Sequence, residues 1–479
     1  MEQRVDTLHA REQSLHEITD LLRRRKLADD AADRDDRPFA ERAEDLVHAR
    51  ELERLQRELE RLHPADVAYI LEALPLDQRL IVWDLVKTER DGEILLEVSD
   101  AVRETLIASM DEDELVAATE QLDTDEIADL APDLPREVIQ DVFQSLSIED
   151  RQQLRAAMSY DEDSVGALMD FDMVEVREDV TLEVVLRYLR RLDEMPAHTD
   201  QLFVVDRDDR LKGLLPVNRI LVSLPETLVS EVMRRDFTQF NPRERAEDAA
   251  AAFERYDLVT APVVGDDDRL VGRVTVDAVV DYIREAQDIE KLSAGGLRED
   301  EDLFASVWKS VKNRWTWLAV NLVTAFIASR VIGIFEQSIA QLVALAALMP
   351  IVAGIGGNSG NQTITMIVRA LALGQITRDS ARKLFAKELG VSALNGLIWG
   401  GVVGLFAFLI YHQWQLGLVM TAAMALNLLL AAVMGVSIPL IMDKLGRDPA
   451  RGSSVLITAI TDSGGFFIFL GLATLFLVR

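Results

Sequence analysis

The sequence predicts a multidomain chain: an all-α superhelical N-terminal domain, an α/β domain made of a tandem repeat, and an all-α transmembrane domain of five helices. Three observations predict it. Charge is segregated along the chain, apolar runs long enough to cross a bilayer follow one another beyond Trp315, and two internal repeats with offsets near sixty residues divide what comes before. Lys and Arg number 51 against 82 Asp and Glu in 479 residues. Residues 303–479 hold six of those acids and thirteen of the bases, a net of +7, which leaves 76 acids and 38 bases, a net of −38, in the first 302. Together these give −31. A surface so acidic repels phosphate backbones and excludes nucleic acid as a partner. The absence of cysteine excludes disulfide frameworks, thiolate zinc sites and cysteine nucleophiles.

Residues 1–60 read as a charged helical extension, with Leu52, Leu55, Leu59 and Leu62 at helical spacing in HARELERLQRELERLH. The start, MEQRVDTLHAREQ, has no apolar core of signal-peptide type, so the acidic half is expected to stay in the compartment where it is made. Residues 61–160 repeat loosely: LHPADVAYILEALPLD at 62–77 aligns with LDTDEIADLAPDLPRE at 122–137, and both copies end in Leu-Pro, where proline stops one helix and opens the next. Short helices stacked in pairs predict the superhelical domain.

A cleaner repeat follows. FVVDRDDRLKGLL at 203–215 matches PVVGDDDRLVGRV at 262–274, each an apolar strand, an acidic turn and a second strand; upstream, SVGALM at 164–169 pairs with LVSEVM at 228–233. Two copies of this β-α-β-β-α pattern, over 161–225 and 226–286, resemble a tandem pair of CBS motifs, modules that associate pairwise and often bind adenine nucleotides. Nucleotide-binding copies commonly place Thr or Ser, then Asp three residues later, after the second strand. This chain has Pro216 and Arg219 in the first copy and Thr275 with Ala278 in the second, and departs from that pattern twice.

Beyond it, five runs can each cross a hydrocarbon layer of about 30 Å, which takes about 20 helical residues. They are Trp315 to Phe335, Gln337 to Val368, Leu389 to Tyr411, Leu416 to Met442 and Gly452 to Val478. Lys309, Lys312 and Arg314 precede the first; Arg369, Arg378, Arg382, Lys383 and Lys387 separate the second and third; Lys444, Arg447 and Arg451 separate the fourth and fifth. The loops around Glu336 and His412 hold no Lys or Arg. The positive-inside rule then predicts a multi-pass protein of the cell (inner) membrane with its N-terminus cytoplasmic and its C-terminus outside.

Asp462 lies eleven residues past Arg451, about 16 Å into the bilayer, where an ionisable group is costly and by default marks an ion path or proton relay. The second run holds LMPIVAGIGGNSGNQTIT, whose Asn358 and Asn361 fall at about the same depth, and whose Gly354, Gly356, Gly357 and Gly360 let another backbone or an ion approach closely and loosen the helix to bare its carbonyls. A GxxxG contact between helices would use Gly356 and Gly360 for packing alone. Carboxylate, amide and carbonyl oxygens are hard donors that suit Mg2+, Ca2+ or Mn2+. One Asp per chain is a thin supply, and a two-fold dimer facing two such groups across a pore would double it.

The order of these parts, with MPIVAGIGGNSGNQ in the second run and TAITDSGGF in the fifth, resembles the MgtE family of magnesium channels. The resemblance implies a homodimer whose pore lies between subunits, lined by the second and fifth spans and passing Mg2+ down its gradient. On it Asp462 matches the pore carboxylate, with the Thr458 carbonyl one turn earlier and with Asn358, Asn361, Gly356 and Gly357 on the facing span as the remaining pore candidates. Where family members often have Asn-Pro early in the fifth span, this chain has Ser454-Val455. The resemblance also implies cytoplasmic domains that sense Mg2+ through acidic faces and shut the pore through a connecting helix, placed here at 287–314 before a transmembrane domain at 315–479. Asp277, Asp281, Glu285 and Asp288 are the regulatory candidates. Two rival readings keep the same residues: an exchanger for another divalent cation such as Mn2+ or Co2+, and a membrane-anchored CBS sensor that moves no ion. Six histidines, no cysteine and no GxxxxGK[ST] loop argue against an enzyme.

Overall fold

The computed structural model describes residues 14–16, 18–20, 23, 52–86, 90–192, 194–298, 301–372, 376, 378–447, 449 and 452–478. Most of the expected extension over 1–60, and Arg451 among the expected loop bases, lie outside the described residues. The chain divides into two units: Met1–Gln287 with Asp302–Ala305, and Asp288–Glu301 with Ser306–Arg479.

From Pro64 the first, acidic unit runs through helices of seven to ten residues, from Pro64–Ala73 to Ile148–Ala157. Leu74 closes the first and Pro75 caps Leu76–Trp83, while Pro135 caps Arg136–Ser145, so both Leu-Pro pairs act as the helix boundaries they predict. Helices this short are marginal alone and hold together by burying one apolar face each. Leu71, Leu74, Ile94, Leu95, Leu106 and Leu130 are buried in one core, joined by Leu55 and Leu59. Their ends are capped by acids: Glu114 N–H donates to Asp111 Oδ1 and Asp111 N–H to Glu114 Oε2, both at 2.9 Å. Asp111→Ala should therefore cost about 1 kcal/mol, a thermal shift of a few degrees; an unchanged melting temperature would show that this cap does not matter.

In the α/β part, β1 (Glu175–Arg177) pairs parallel with β2 (Gln201–Val205), and β2 antiparallel with β3 (Leu211–Pro216). The second copy has β4 (Thr260–Val264) antiparallel to β5 (Leu270–Thr275), with Phe240 bridging parallel to Val263 where β1 stands in the first. The copies are interlocked. Asp170, ahead of β1 in the first copy, bridges to Arg273 on β5, and Arg234, ahead of β4 in the second, bridges to Leu214 on β3. That crossing explains the repeated glycine: a Cβ on Gly213 would lie 2.7 Å from the Arg234 carbonyl, and one on Gly272 would lie 3.0 Å from that of Asp170. Leu211 N–H donates to the Asp268 carbonyl and Leu270 N–H to that of Asp209, tying the two acidic turns together. Asp209 (φ 59) and Asp268 (φ 62) are left-handed, the conformation that Asp tolerates in tight turns.

The helix Val276–Ala294 leaves the second copy and stops at Gly295 and Gly296, the latter at φ +75. The expected connecting helix over 287–314 is thus two pieces, and helix resumes only at Val307 behind the Ser306 cap. Between them Glu301 accepts from Asn313 and Arg314, both at 3.0 Å, and clasps the start of the new helix. Within the soluble unit, Asp302 reaches Arg79, which is fully buried: Nη1 donates to Oδ2 at 2.8 Å and Nη2 to Oδ1 at 3.2 Å, while Nε donates to the Leu71 carbonyl.

The membrane unit has five long helices: Val307–Ile334, Ala344–Ala372, Arg378–Tyr411, Trp414–Lys444 and Ser453–Phe476, here the first to the fifth. Among the described residues the first, fourth and fifth, with Ala381–Tyr411 of the third, are long and apolar enough to cross a membrane. The second has 29 residues, enough length at about 1.5 Å each, but its glycines and amides dilute its apolar content. It starts later than the expected run, because Glu336–Gln341 forms a separate short helix. The fourth helix is the centre, with 56% of its apolar stretch buried against 6% for the first. Gly396, Gly400 and Gly404 of the third meet it at intervals of four, with a Cβ at Gly404 only 2.5 Å from the Gly417 carbonyl. Such small-residue seams let membrane helices approach closely.

Candidate cation pathway and acidic cluster

The second helix is continuous through Gly354, Gly356, Gly357 and Gly360. The expected loosening is absent: close neighbours occupy the space freed at Gly356, Gly357 and Gly360, while Gly354 faces open space, and the helix runs on unbroken through all four. A Cβ on Gly357 would lie 3.6 Å from Thr461 Oγ1, and one on Gly360 would meet Ile457. The second and fifth helices therefore touch along 357 and 360 against 461 and 457, in antiparallel sense. One step further along each helix rotates about 100°, and in an antiparallel pair both steps turn to the same side. Asn358 and Asn361 thus share a side with Thr458 and Asp462, and Asn358 is level with Asp462. Asn358 and Thr458 are exposed in the single chain, and Asn361 and Asp462 are half-buried.

The geometry sorts the predicted pore residues. Asp462 forms no hydrogen bond or ion pair with another described side chain. Thr458 is one turn before it, and its carbonyl accepts from Thr461 Oγ1 at 3.2 Å. Gly356 stands apart, because its open side is filled by Asn427 of the fourth helix, and Gly357 faces Thr461. Among the described residues no three His, Asp or Glu side chains cluster as a metal site, so any ion here meets one carboxylate per chain and oxygen from amides or water. Sequence reasoning passed over Asn427 and left Glu388 at an inner span end. The structure buries Glu388 beside Thr363, whose Oγ1 donates to Oε2 at 3.4 Å.

The four regulatory candidates share the Val276–Ala294 helix but not one environment. Asp277 is 3.7 Å from His198 Nε2, and Asp288 pairs with Lys291 at 2.7 Å. Asp281 is pushed up by lost hydration and by the Asp277 charge. Glu285 acts further off, raising Asp129 of the helical domain. There the structure assembles acids that the sequence reading missed. Desolvation first, then Asp170, Glu126 and Asp123, push Asp125 up to about 8. Desolvation also pushes Asp129 up to about 6 against the opposing pull of Arg103. Asp170 is raised by burial although Arg273 holds it at 2.7 Å. Carboxylates that raise one another in this way repel across the space between them. The i, i+4 spacing of Asp125 and Asp129 was a readable signal, but what lies opposite them was not. In the first copy, Arg219 donates to the Val232 carbonyl at 2.7 Å, where a nucleotide-binding copy would place Asp.

These features define a class: a membrane-embedded helical bundle carrying an interlocked CBS pair and an acidic helical domain on one chain. Comparison with known proteins agrees. The family described as divalent cation transporter, MgtE, matches residues 349–472; the MgtE intracellular N domain matches 62–163; and the CBS domain matches 165–226 and 229–285. Magnesium transporter MgtE of Thermus thermophilus is 31% identical over 432 residues, covering 88% of this chain and 95% of that protein. The Bacillus subtilis transporter of the same name is 27% identical over 421 residues, covering 88% and 93%. A crystal structure of the cytosolic domain of the Mg2+ channel MgtE in complex with ATP matches with 30% identity and a TM-score of 0.45, covering 50% of this chain and 98% of that one. The chain belongs to the MgtE family.

Proposed function

We propose that the chain is a homodimeric Mg2+ channel of the cell membrane, with its acidic half cytoplasmic, closed by intracellular Mg2+ acting on that half. The observation that carries the reading is Asp462, a carboxylate in a membrane helix with no side-chain partner among the described residues, level with Asn358 on an open side of the helix pair. A second subunit facing that side would supply the second carboxylate. Mg2+ is bound as a largely hydrated ion, which amides and carboxylates at water distance suit better than a closed cage. The relatives named as magnesium transporters support the choice of ion. Nucleotide has no part in the proposal, given Arg219 and Ala278.

Purified protein in liposomes tests it. Mg2+ should enter down its own gradient, independently of Na+ or H+ gradients, and raising Mg2+ on the face carrying the soluble half should stop the flux. Flux that required a Na+ or H+ gradient would instead favour an exchanger, and no flux at all a sensor.

The buried acids of the helical domain make a separate prediction about stability. Asp125, Asp129 and Asp91 have folded-state values above the unfolded one, Asp91 at about 7 through burial and Glu114. Such groups stay protonated in the folded chain where the unfolded chain has ionised them. Their contribution is full below about pH 4 and is lost as pH rises through about 6 and about 8. Without divalent ions, melting of the soluble half should fall by about 5 °C or more between pH 5 and pH 8.5, and millimolar Mg2+, not matched NaCl, should restore most of it. Melting that ignores both pH and Mg2+ would count against a cation role for these acids.

A further inference from the structure

We propose that Asn427 is a positioning residue that sets the second helix against the fifth and so holds Asn358 level with Asp462; the proposal rests on the reading of this bundle as a cation pathway. Asn427 sits at the middle of the fourth helix and is fully buried. Its Nδ2 donates to the Val352 carbonyl of the second helix at 2.9 Å, one turn before Gly356. Two glycines on different helices make room for it. A Cβ on Gly356 would collide with Nδ2, and one on Gly465 of the fifth helix would lie 2.7 Å from it. One amide therefore fills a notch cut from both helices. Gly356 is two residues from Asn358, and Gly465 three from Asp462, so a shift of either backbone carries a pathway residue with it.

Packing alone does not account for this side chain. Asn427 Oδ1 is buried with no hydrogen-bond partner among the described residues, and an unmet acceptor in a membrane interior is destabilising. A leucine would fill similar volume without that cost. The amide supplies what leucine lacks: a directional bond that fixes the height of the second helix at the carbonyl of Val352.

The chain has no cysteine, so helix placement can be read without flux. With Gly357→Cys and Thr461→Cys introduced together, the 3.6 Å approach at that pair should give an efficient disulfide in the full-length protein. Adding Asn427→Leu should lower its yield by about threefold or more. In liposomes, Gly356→Ala should cut Mg2+ flux about tenfold, and Asn427→Ala on top should return it to within about threefold of Asn427→Ala alone, since the clash goes with the amide. Asn427→Ala alone should keep flux but reduce the preference for Mg2+ over Ca2+ about fivefold, a change that a purely structural role would not produce. Unchanged disulfide yield in Asn427→Leu, or a double variant no better than Gly356→Ala, would overturn the proposal. Native protein that carries no Mg2+ would overturn the channel reading, and the disulfide would still decide the role of Asn427.

Discussion

Replacing Asp462 by alanine is expected to lower Mg2+ flux into liposomes by at least about tenfold, with insertion and melting unchanged. The size follows from charge. A divalent ion about 5 Å from one carboxylate gains roughly 6 kcal/mol at an effective dielectric near 20. Most of that is offset by water the ion gives up, but a tenfold change needs only about 1.4 kcal/mol. Asp462→Asn keeps shape and hydrogen bonding while removing charge, and should be nearly as inactive; Asp462→Glu, longer by one methylene, should recover part of the flux. Native rates in both Asp462→Ala and Asp462→Asn would remove the carboxylate from the pathway. The half-buried setting and the lack of a side-chain partner are why little destabilisation is expected: no bonded group is left stranded.

The opposite holds for Arg79. Its guanidinium is wholly buried, bonded to Asp302 by two nitrogens and to the Leu71 and Leu74 carbonyls. Arg79→Met or Asp302→Ala strands a buried charge, which costs about 3–5 kcal/mol. Melting of the soluble unit should drop by about 10 °C or more in either single variant. The pair Arg79→Met with Asp302→Leu should recover most of the loss, because an apolar pair of similar volume carries no desolvation penalty. Single variants that melt like the native chain would mean that Asp302 and Arg79 are not joined in solution.

Much of the architecture was legible in the sequence, for identifiable reasons. The Leu-Pro pairs gave helix boundaries because proline acts locally, and the 59-residue offset exposed the duplicated strands because the whole pattern recurs. Asp462 stood out because charge is rare within apolar runs. The missing part is three-dimensional. Nothing in the sequence near Asn427 says that it meets Gly356 and Gly465, 71 residues before it and 38 after. The coupling of Glu285 to Asp129 spans domains, and Arg79 finds its partner 223 residues away. The glycines of the second helix were readable as close-approach positions, but their individual neighbours were not: one faces an amide, one a threonine and one an isoleucine.

The left-handed aspartates of the two acidic turns carry a warning for anyone who strips charge from the acidic half to test it for a metal response. Asp209 and Asp268 occupy backbone geometry that alanine resists, so alanine scanning there would mix misfolded turns with lost electrostatics. Asparagine or glycine is the neutral replacement that leaves the hairpin tips intact, and only a series built that way can count carboxylates honestly.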